Sequence, residues 1–227
     1  MKTEILAQVL ESIEENRAIV LATNLDSGEQ RLLRRGEGEG DVERTHVSTA
    51  LRLDKPVTTE PDRGPRFFYQ PFNPPLRMVL VGAVHIAQPL STMAALAGYE
   101  VTVVDPRSAF AAEARFPGVT LDLAWPDEAL ESIGLDARCA VVTLTHDPKL
   151  DDAALHVALR SEAFFIGCLG SKKTHATRLK RLRKAGFTDA ELERIQGPVG
   201  LPIGSRSPSE IAVSVLAQVM ETLRKPK

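Results

Sequence analysis

The stretch Met78-Val79-Leu80-Val81-Gly82-Ala83-Val84-His85-Ile86-Ala87 decides how the rest of the chain is read. Its first four residues form a short unbroken apolar run, the pattern of a strand buried on both faces. Gly82 then permits a tight turn. A helix is expected over about 85–97, ending at Gly98, a residue suited to the position just past a helix. Downstream, residues 101–104, 119–123, 140–144 and 164–166 are further apolar runs, with helical segments such as 152–159 between them. Strands and helices in alternation imply a parallel sheet with helices on both faces and right-handed crossovers. From Arg77 to the C-terminus the expectation is one doubly wound α/β domain, with a ligand crevice at the carboxyl ends of its strands.

Upstream the pattern is less regular. Ile5, Leu6, Val9, Leu10 and Ile13 recur at helical spacing. Residues 18–23 and 30–34 flank Asp26-Ser27-Gly28 and read as a hairpin. The acidic, glycine-rich stretch 36–41 reads as mobile. Residues 66–70 suit a strand that leads into Phe72-Asn73-Pro74-Pro75, where adjacent prolines exclude both a helix and a central strand. The chain therefore divides into a small α+β segment over 1–72, a proline-rich linker over 73–76 and the α/β domain over 77–227. In the last third, Thr188-Asp189-Ala190-Glu191 and Ser207-Pro208-Ser209-Glu210 are capping boxes. The second opens a helix whose Ile211, Val215, Leu216, Val219 and Leu223 should dock on the sheet.

The bulk numbers exclude several classes of function. A chain of 227 residues with 43% hydrophobic residues has enough material for a sizeable core. A net charge of −2 draws it to neither nucleic acid nor an anionic membrane. No apolar run approaches the roughly 20 residues that span a bilayer. The N-terminus lacks the basic start and apolar stretch of a secretory signal, so a cytoplasmic location is expected. Cys139 and Cys168 are too few for a disulfide framework and fall in or beside apolar runs, so reduced thiols are expected.

The motifs that could carry chemistry lie at the strand ends. Gly82-Ala83-Val84-His85-Ile86-Ala87 sits where a Rossmann-like dinucleotide fold has G-x-G-x-x-G/A. Ala87 is small enough for helix-on-sheet packing, but Val84 replaces the glycine that lets a backbone approach a pyrophosphate. The helix start still offers free amides to an anion. Asp105 closes the second strand at the spacing of a ribose-binding carboxylate, and Arg107 is placed to clamp a phosphate or carboxylate. Thr145, His146 and Asp147 follow the fourth strand, either as ligand contacts or as a helix cap beside a surface histidine. Gly167-Cys168-Leu169-Gly170-Ser171-Lys172 follows the fifth, with two glycines for close approach and positive charge from Lys172 and Lys173. Cys168 is expected in this loop, either as a thiol near a metal or as a small packed residue. The basic run 172–184 has no interleaved aromatics for nucleic-acid stacking. Walker A, zinc-ligand, G-x-S-x-G and H-E-x-x-H patterns are all missing, and no acid–base pair stands out.

Five ordered blocks of this chain resemble the Rossmann half of the XdhC/CoxI family. They are Val81 to Gln88 with Val103-Val104-Asp105-Pro106-Arg107; Leu144-Thr145-His146-Asp147; Ile166 to Lys172; Gly197-Pro198-Val199-Gly200-Leu201; and Arg206 to Ser214. The resemblance runs from Arg77 to about Met220. It implies a maturation factor for molybdenum hydroxylases such as xanthine or carbon monoxide dehydrogenase. Such a factor binds the molybdenum cofactor (molybdopterin, as mono- or dinucleotide) and hands it to the apoenzyme. On that reading the ligand lies across Gly82, Ala83, Val84, His85 and Ile86, with Asp105 and Arg107 on one side. Thr145, His146, Asp147, Gly167, Cys168, Gly170, Ser171 and Lys172 close the other side, and Cys168 is the residue to watch near the metal. Residues 1–76 carry neither the G-S-x-P-R nor the G-G-x-x-E segment often found in the family's N-terminal domain. The chain thus resembles a Rossmann-only or degenerate version, whose missing half a separate subunit would supply.

Two other readings stay open. An oxidoreductase using NAD(P) rests on fold analogy alone, and a scaffold would contact the target enzyme without holding cofactor. The missing catalytic signatures favour binding and delivery over turnover. A homodimer is the default expectation for the assembly.

Overall fold

The structure is a computed structural model that describes residues 3–59 and 64–225. The chain forms two compact units, residues 1–74 and 75–227.

The first unit runs α1 (Thr3–Glu14), β1 (Ile19–Asn24), β2 (Gln30–Leu33), α2 (Gly40–Leu53), β3 (Val57–Thr58) and β4 (Phe67–Phe72). Its sheet is antiparallel in the order β2-β1-β4-β3. Pro71 is tolerated in β4 because β3 pairs only with Phe68 and Tyr69, which leaves one side of Pro71 without a ladder to serve. α2 corrects the expectation of a mobile 36–41 stretch, since Gly40 and Asp41 are its first residues. Val47, Ala50 and Leu51, spaced one helical turn apart, bury against Val20, Ala22, Leu33 and Tyr69. Glu43 is buried with them. It accepts from both Arg31 (2.7 Å) and the Tyr69 hydroxyl (3.2 Å). Burial and the Glu43 carboxylate together push the Tyr69 phenol up to about 12.

The second unit continues with β5 (Leu76–Val81), α3 (Ala87–Leu96), β6 (Tyr99–Val104), β7 (Thr120–Asp122), α4 (Pro126–Ile133), β8 (Cys139–Thr143), α5 (Pro148–Arg160), β9 (Phe165–Cys168), α6 (Lys172–Lys184), α7 (Asp189–Leu192), β10 (Ile195–Gln196) and α8 (Pro208–Arg224). Its six strands are parallel, in the order β7-β6-β5-β8-β9-β10. The chain thus starts in mid-sheet, winds outward through β6 and β7, then returns to the other side of β5 for β8, β9 and β10. Strand order reverses between β5 and β8, the place where doubly wound sheets open a crevice.

The apolar run of β5 divides between two cores because successive side chains point to opposite faces. Met78 and Leu80 pack with α3 and α8 through Leu90, Ala94, Val215 and Val219. Val79 and Val81 pack with α4, α5 and α6 through Leu130, Ala154, Leu155 and Leu182. Thr188 and Ser207 close capping boxes at the starts of α7 and α8. The helix after β5 begins at Ala87, two residues later than its periodicity suggests, because residues 82–86 form an extended turn. No helix among the described residues is long and apolar enough to cross a membrane.

Candidate functional site at the strand ends

At the strand-order reversal the loops after β5 and β8 meet at Gly82. Its φ of +113° lies in the left-handed region, and a Cβ there would stand 2.6 Å from Thr145 Cγ2. Gly82 is therefore needed for two reasons. It turns the chain, and it lets the β8 loop close on the β5 loop at the strand-order reversal. The Ala83 amide donates to Asp105 Oδ2 (2.8 Å), which ties this turn to the end of β6. The amides of Val84, His85 and Ile86 have no acceptor among the described residues. Val84 and Ile86 are partly buried, and His85 is exposed.

The structure gives Asp105 another role than that of a ribose acceptor. Its side chain is fully buried. Oδ1 accepts from the Arg107 amide (3.0 Å) and Nε (2.8 Å), while Oδ2 accepts from Ala83 and the second Arg107 nitrogen (2.8 Å). Both oxygens are committed, so no lone pair faces a sugar. Burial by itself raises this carboxyl, but the hydrogen bonds from Arg107 and from the Ala83 amide outweigh it and hold the group below the ordinary carboxylate range. Asp105 thus clamps Arg107, whose side chain stays 37% exposed and lies over the Phe110 ring at 4.4 Å. The hydrogen bond to Asp105 raises Arg107, with Asp147 and Asp151 adding to it from the other side of the crevice.

At the end of β8, Thr145 is half-buried, His146 is exposed with a left-handed φ of +61°, and Asp147 caps α5 by accepting from the Lys149 amide. After β9, Ser171 caps α6 by accepting from the Thr174 amide, which leaves Lys172 and Lys173 exposed in its first turn. Gly167 is in β9, not in the loop. A Cβ there would meet Val199 Cγ2 at 2.6 Å, so this glycine admits a core side chain, not a ligand.

Cys168 likewise ends β9 instead of lying in the loop, and it is completely buried. Burial pushes its thiol up to about 11. Burial also takes the Cys139 thiol to about 11. The expectation of a loop thiol near a metal is corrected accordingly, since the Cys168 side chain is packed out of solvent in the core with Val81, Ile166 and Leu182. Among the described residues no group of three His, Cys, Asp or Glu is placed to hold a metal ion. Both thiols should resist an aromatic disulfide reagent in the native protein and react fully only after denaturation, which a thiol titration with and without guanidinium checks.

The sequence reading missed a buried pair beneath the two loops. Asp151 of α5 and Arg178 of α6 are 3% and 2% exposed and meet at 3.4 Å. The signal was present: Arg178 is one turn from Leu182, which puts it on the inward face of an otherwise exposed basic helix.

The strand order and the Gly82 turn define a Rossmann-type domain. The family model described as the XdhC Rossmann domain matches residues 78–219, and the chain belongs to that family. Among curated relatives, a probable xanthine dehydrogenase subunit from Bacillus subtilis (strain 168) is 33% identical over 165 residues, covering 72% of this chain and 48% of the relative. The molybdenum cofactor insertion chaperone PaoD of Escherichia coli (strain K12) is 31% identical over 148 residues, covering 65% of this chain and 40% of PaoD. The chain thus spans less than half the length of these relatives. A crystal structure described as a xanthine dehydrogenase from Bacillus halodurans shares the fold, with a TM-score of 0.71, 24% identity, and coverage of 99% of this chain and 65% of that one.

The residues present suit an anionic group such as the phosphate of molybdopterin. Free amides at 84–86, the Asp105-clamped Arg107 and the exposed lysines at the start of α6 are all donors without acceptor capacity.

Proposed function

We propose that this chain binds the molybdenum cofactor at the crevice between β5 and β8 and delivers it to a molybdenum hydroxylase apoenzyme. The observation that carries this reading is the XdhC Rossmann match over residues 78–219, supported by the free amides of the Gly82 turn, which suit an anion. PaoD, a relative over 148 residues, is named for cofactor insertion. When bound, the cofactor supplies the molybdenum centre of the target enzyme. This chain's part is to hold and shield it. The amides of Val84, His85 and Ile86 and the Arg107 guanidinium bind the phosphate end, with Lys172 adding charge. Ala83 and Asp105 keep Arg107 in place, and Thr145, His146, Asp147, Gly170 and Ser171 border the opposite rim.

A nicotinamide nucleotide suits the site less well, because both Asp105 oxygens are occupied and none is free for a ribose hydroxyl. The experiment is activation of apo-hydroxylase at limiting cofactor. Wild-type protein should raise the yield of active enzyme. Arg107→Ala should need roughly tenfold or more protein for the same yield, the loss of one charge-assisted contact. Equal activation by both would contradict the reading.

A further inference from the structure

Two loops flank the far side of the crevice, one after β8 and one after β9. A backbone bond from the Leu169 amide to the Thr143 carbonyl (2.9 Å) ties the second loop to the end of β8, but no hydrogen bond between side chains joins the two loops directly among the described residues. They are joined from below through α5 and α6. The Thr145 hydroxyl donates to Asp151 Oδ1 at 2.6 Å. Asp151 Oδ2 meets Arg178 at 3.4 Å, and the same Arg178 nitrogen donates to the Leu169 carbonyl at 3.0 Å. Thr145, Asp151, Arg178 and Leu169 thus form one polar chain from loop to loop, and its two central members are almost completely buried.

Such a pair is a poor way to gain stability. Taking both charges out of water costs more than a long contact returns, and an apolar pair of like volume is often neutral or stabilising in its place. Here the cost is higher than usual, because Arg178 Nε and its other terminal nitrogen are buried with no partner among the described residues. Burial also pushes the Asp151 carboxyl up, against the pull of Thr145 and Arg178. What the pair does supply is geometry. A planar guanidinium and a carboxylate fix direction and spacing as apolar side chains do not.

We propose that Asp151 and Arg178 are positioning residues that set the separation of the β8 and β9 loops for ligand binding, at a cost in fold stability. The inference rests on the cofactor-binding reading for its ligand, but not for its structural content. The direct test is the double variant Asp151→Leu with Arg178→Met in the full chain. Its Tm should hold or rise. Hydrogen exchange of the amides at 145–147 and 169–171 in the ligand-free protein should speed up roughly tenfold. The Kd for molybdenum cofactor, measured by ultrafiltration, should rise at least about tenfold.

Unchanged exchange and unchanged Kd in the double variant would overturn the proposal, as would a steep fall in Tm with wild-type loop exchange in Asp151→Leu/Arg178→Met. If the wild type itself fails to bind cofactor, the functional reading fails, while the exchange measurement still decides the role of the pair. If the double variant does not fold, Arg178→Lys carries the same test. Lysine keeps a charge on this face, but its shorter side chain does not bring one nitrogen to both Asp151 and the Leu169 carbonyl, so faster loop exchange supports the proposal and wild-type exchange overturns it.

Discussion

Gly82→Ala should lower the Tm by roughly 6–12 °C and abolish cofactor binding. Two costs combine. A φ of +113° is strained for any residue with a Cβ, and the new methyl would stand 2.6 Å from Thr145 Cγ2. Thr145 cannot swing away freely, because its hydroxyl is held by Asp151 at 2.6 Å and accepts from the Asp147 amide at 3.0 Å. Strain and overpacking of this kind together cost roughly 3 kcal/mol, and each kcal/mol moves the Tm of a chain this size by about 2–4 °C. Binding fails for a separate reason: the turn that presents the amides of 84–86 can no longer close on the β8 loop. Adding Thr145→Ser removes the clashing methyl group and should return part of the stability, leaving the backbone strain. Differential scanning calorimetry of the two variants checks both parts. Additive losses would show that the contact between Gly82 and Thr145 is unimportant.

Asp105→Ala should cost about 3 kcal/mol and loosen Arg107. The Ala83 and Arg107 amides lose their acceptor, and at least the former is buried. Arg107 itself, being 37% exposed, recovers water and adds little to the cost. The pH dependence has a definite sign. The folded carboxyl lies below its ordinary value, so its contribution is fully present above about pH 4 and is lost as pH falls through the lower, folded value. Asp105→Asn removes that titration. The stability gap between wild type and Asp105→Asn should therefore narrow below pH 4, as followed by urea unfolding at a series of pH values. A gap that stays constant or widens on acidification would mean that Asp105 is not held ionised by its partners.

The doubly wound fold was legible because its strands announce themselves. Met78, Val79, Leu80 and Val81 must serve two cores at once, and only a strand covered on both faces needs four apolar residues in a row. Gly82 was legible as a turn, and Asp147, Thr188 and Ser207 as helix caps, since these depend on local backbone chemistry. What could not be read was set by partners distant in sequence. Asp105 has the spacing of a ribose acceptor, but whether its oxygens are free depends on Arg107 and the Ala83 amide folding onto it. Gly167 and Cys168 look like loop residues until Val199 and the core behind β9 claim them. α2 was hidden because its glycine-rich, acidic start resembles a solvated linker, while its buried Glu43 is stabilised by Arg31 and Tyr69 from two strands.

The central claim is that the crevice beside Gly82 binds molybdenum cofactor through Arg107. The most direct measurement is a titration of the purified protein with sulfurated molybdenum cofactor, read by ultrafiltration, for wild type and Arg107→Ala. The account predicts saturable binding in the micromolar range, weakened by roughly tenfold or more in the variant. Saturable binding that ignores Arg107→Ala would place the ligand elsewhere, and an absence of binding to the wild type would contradict cofactor delivery by this chain alone.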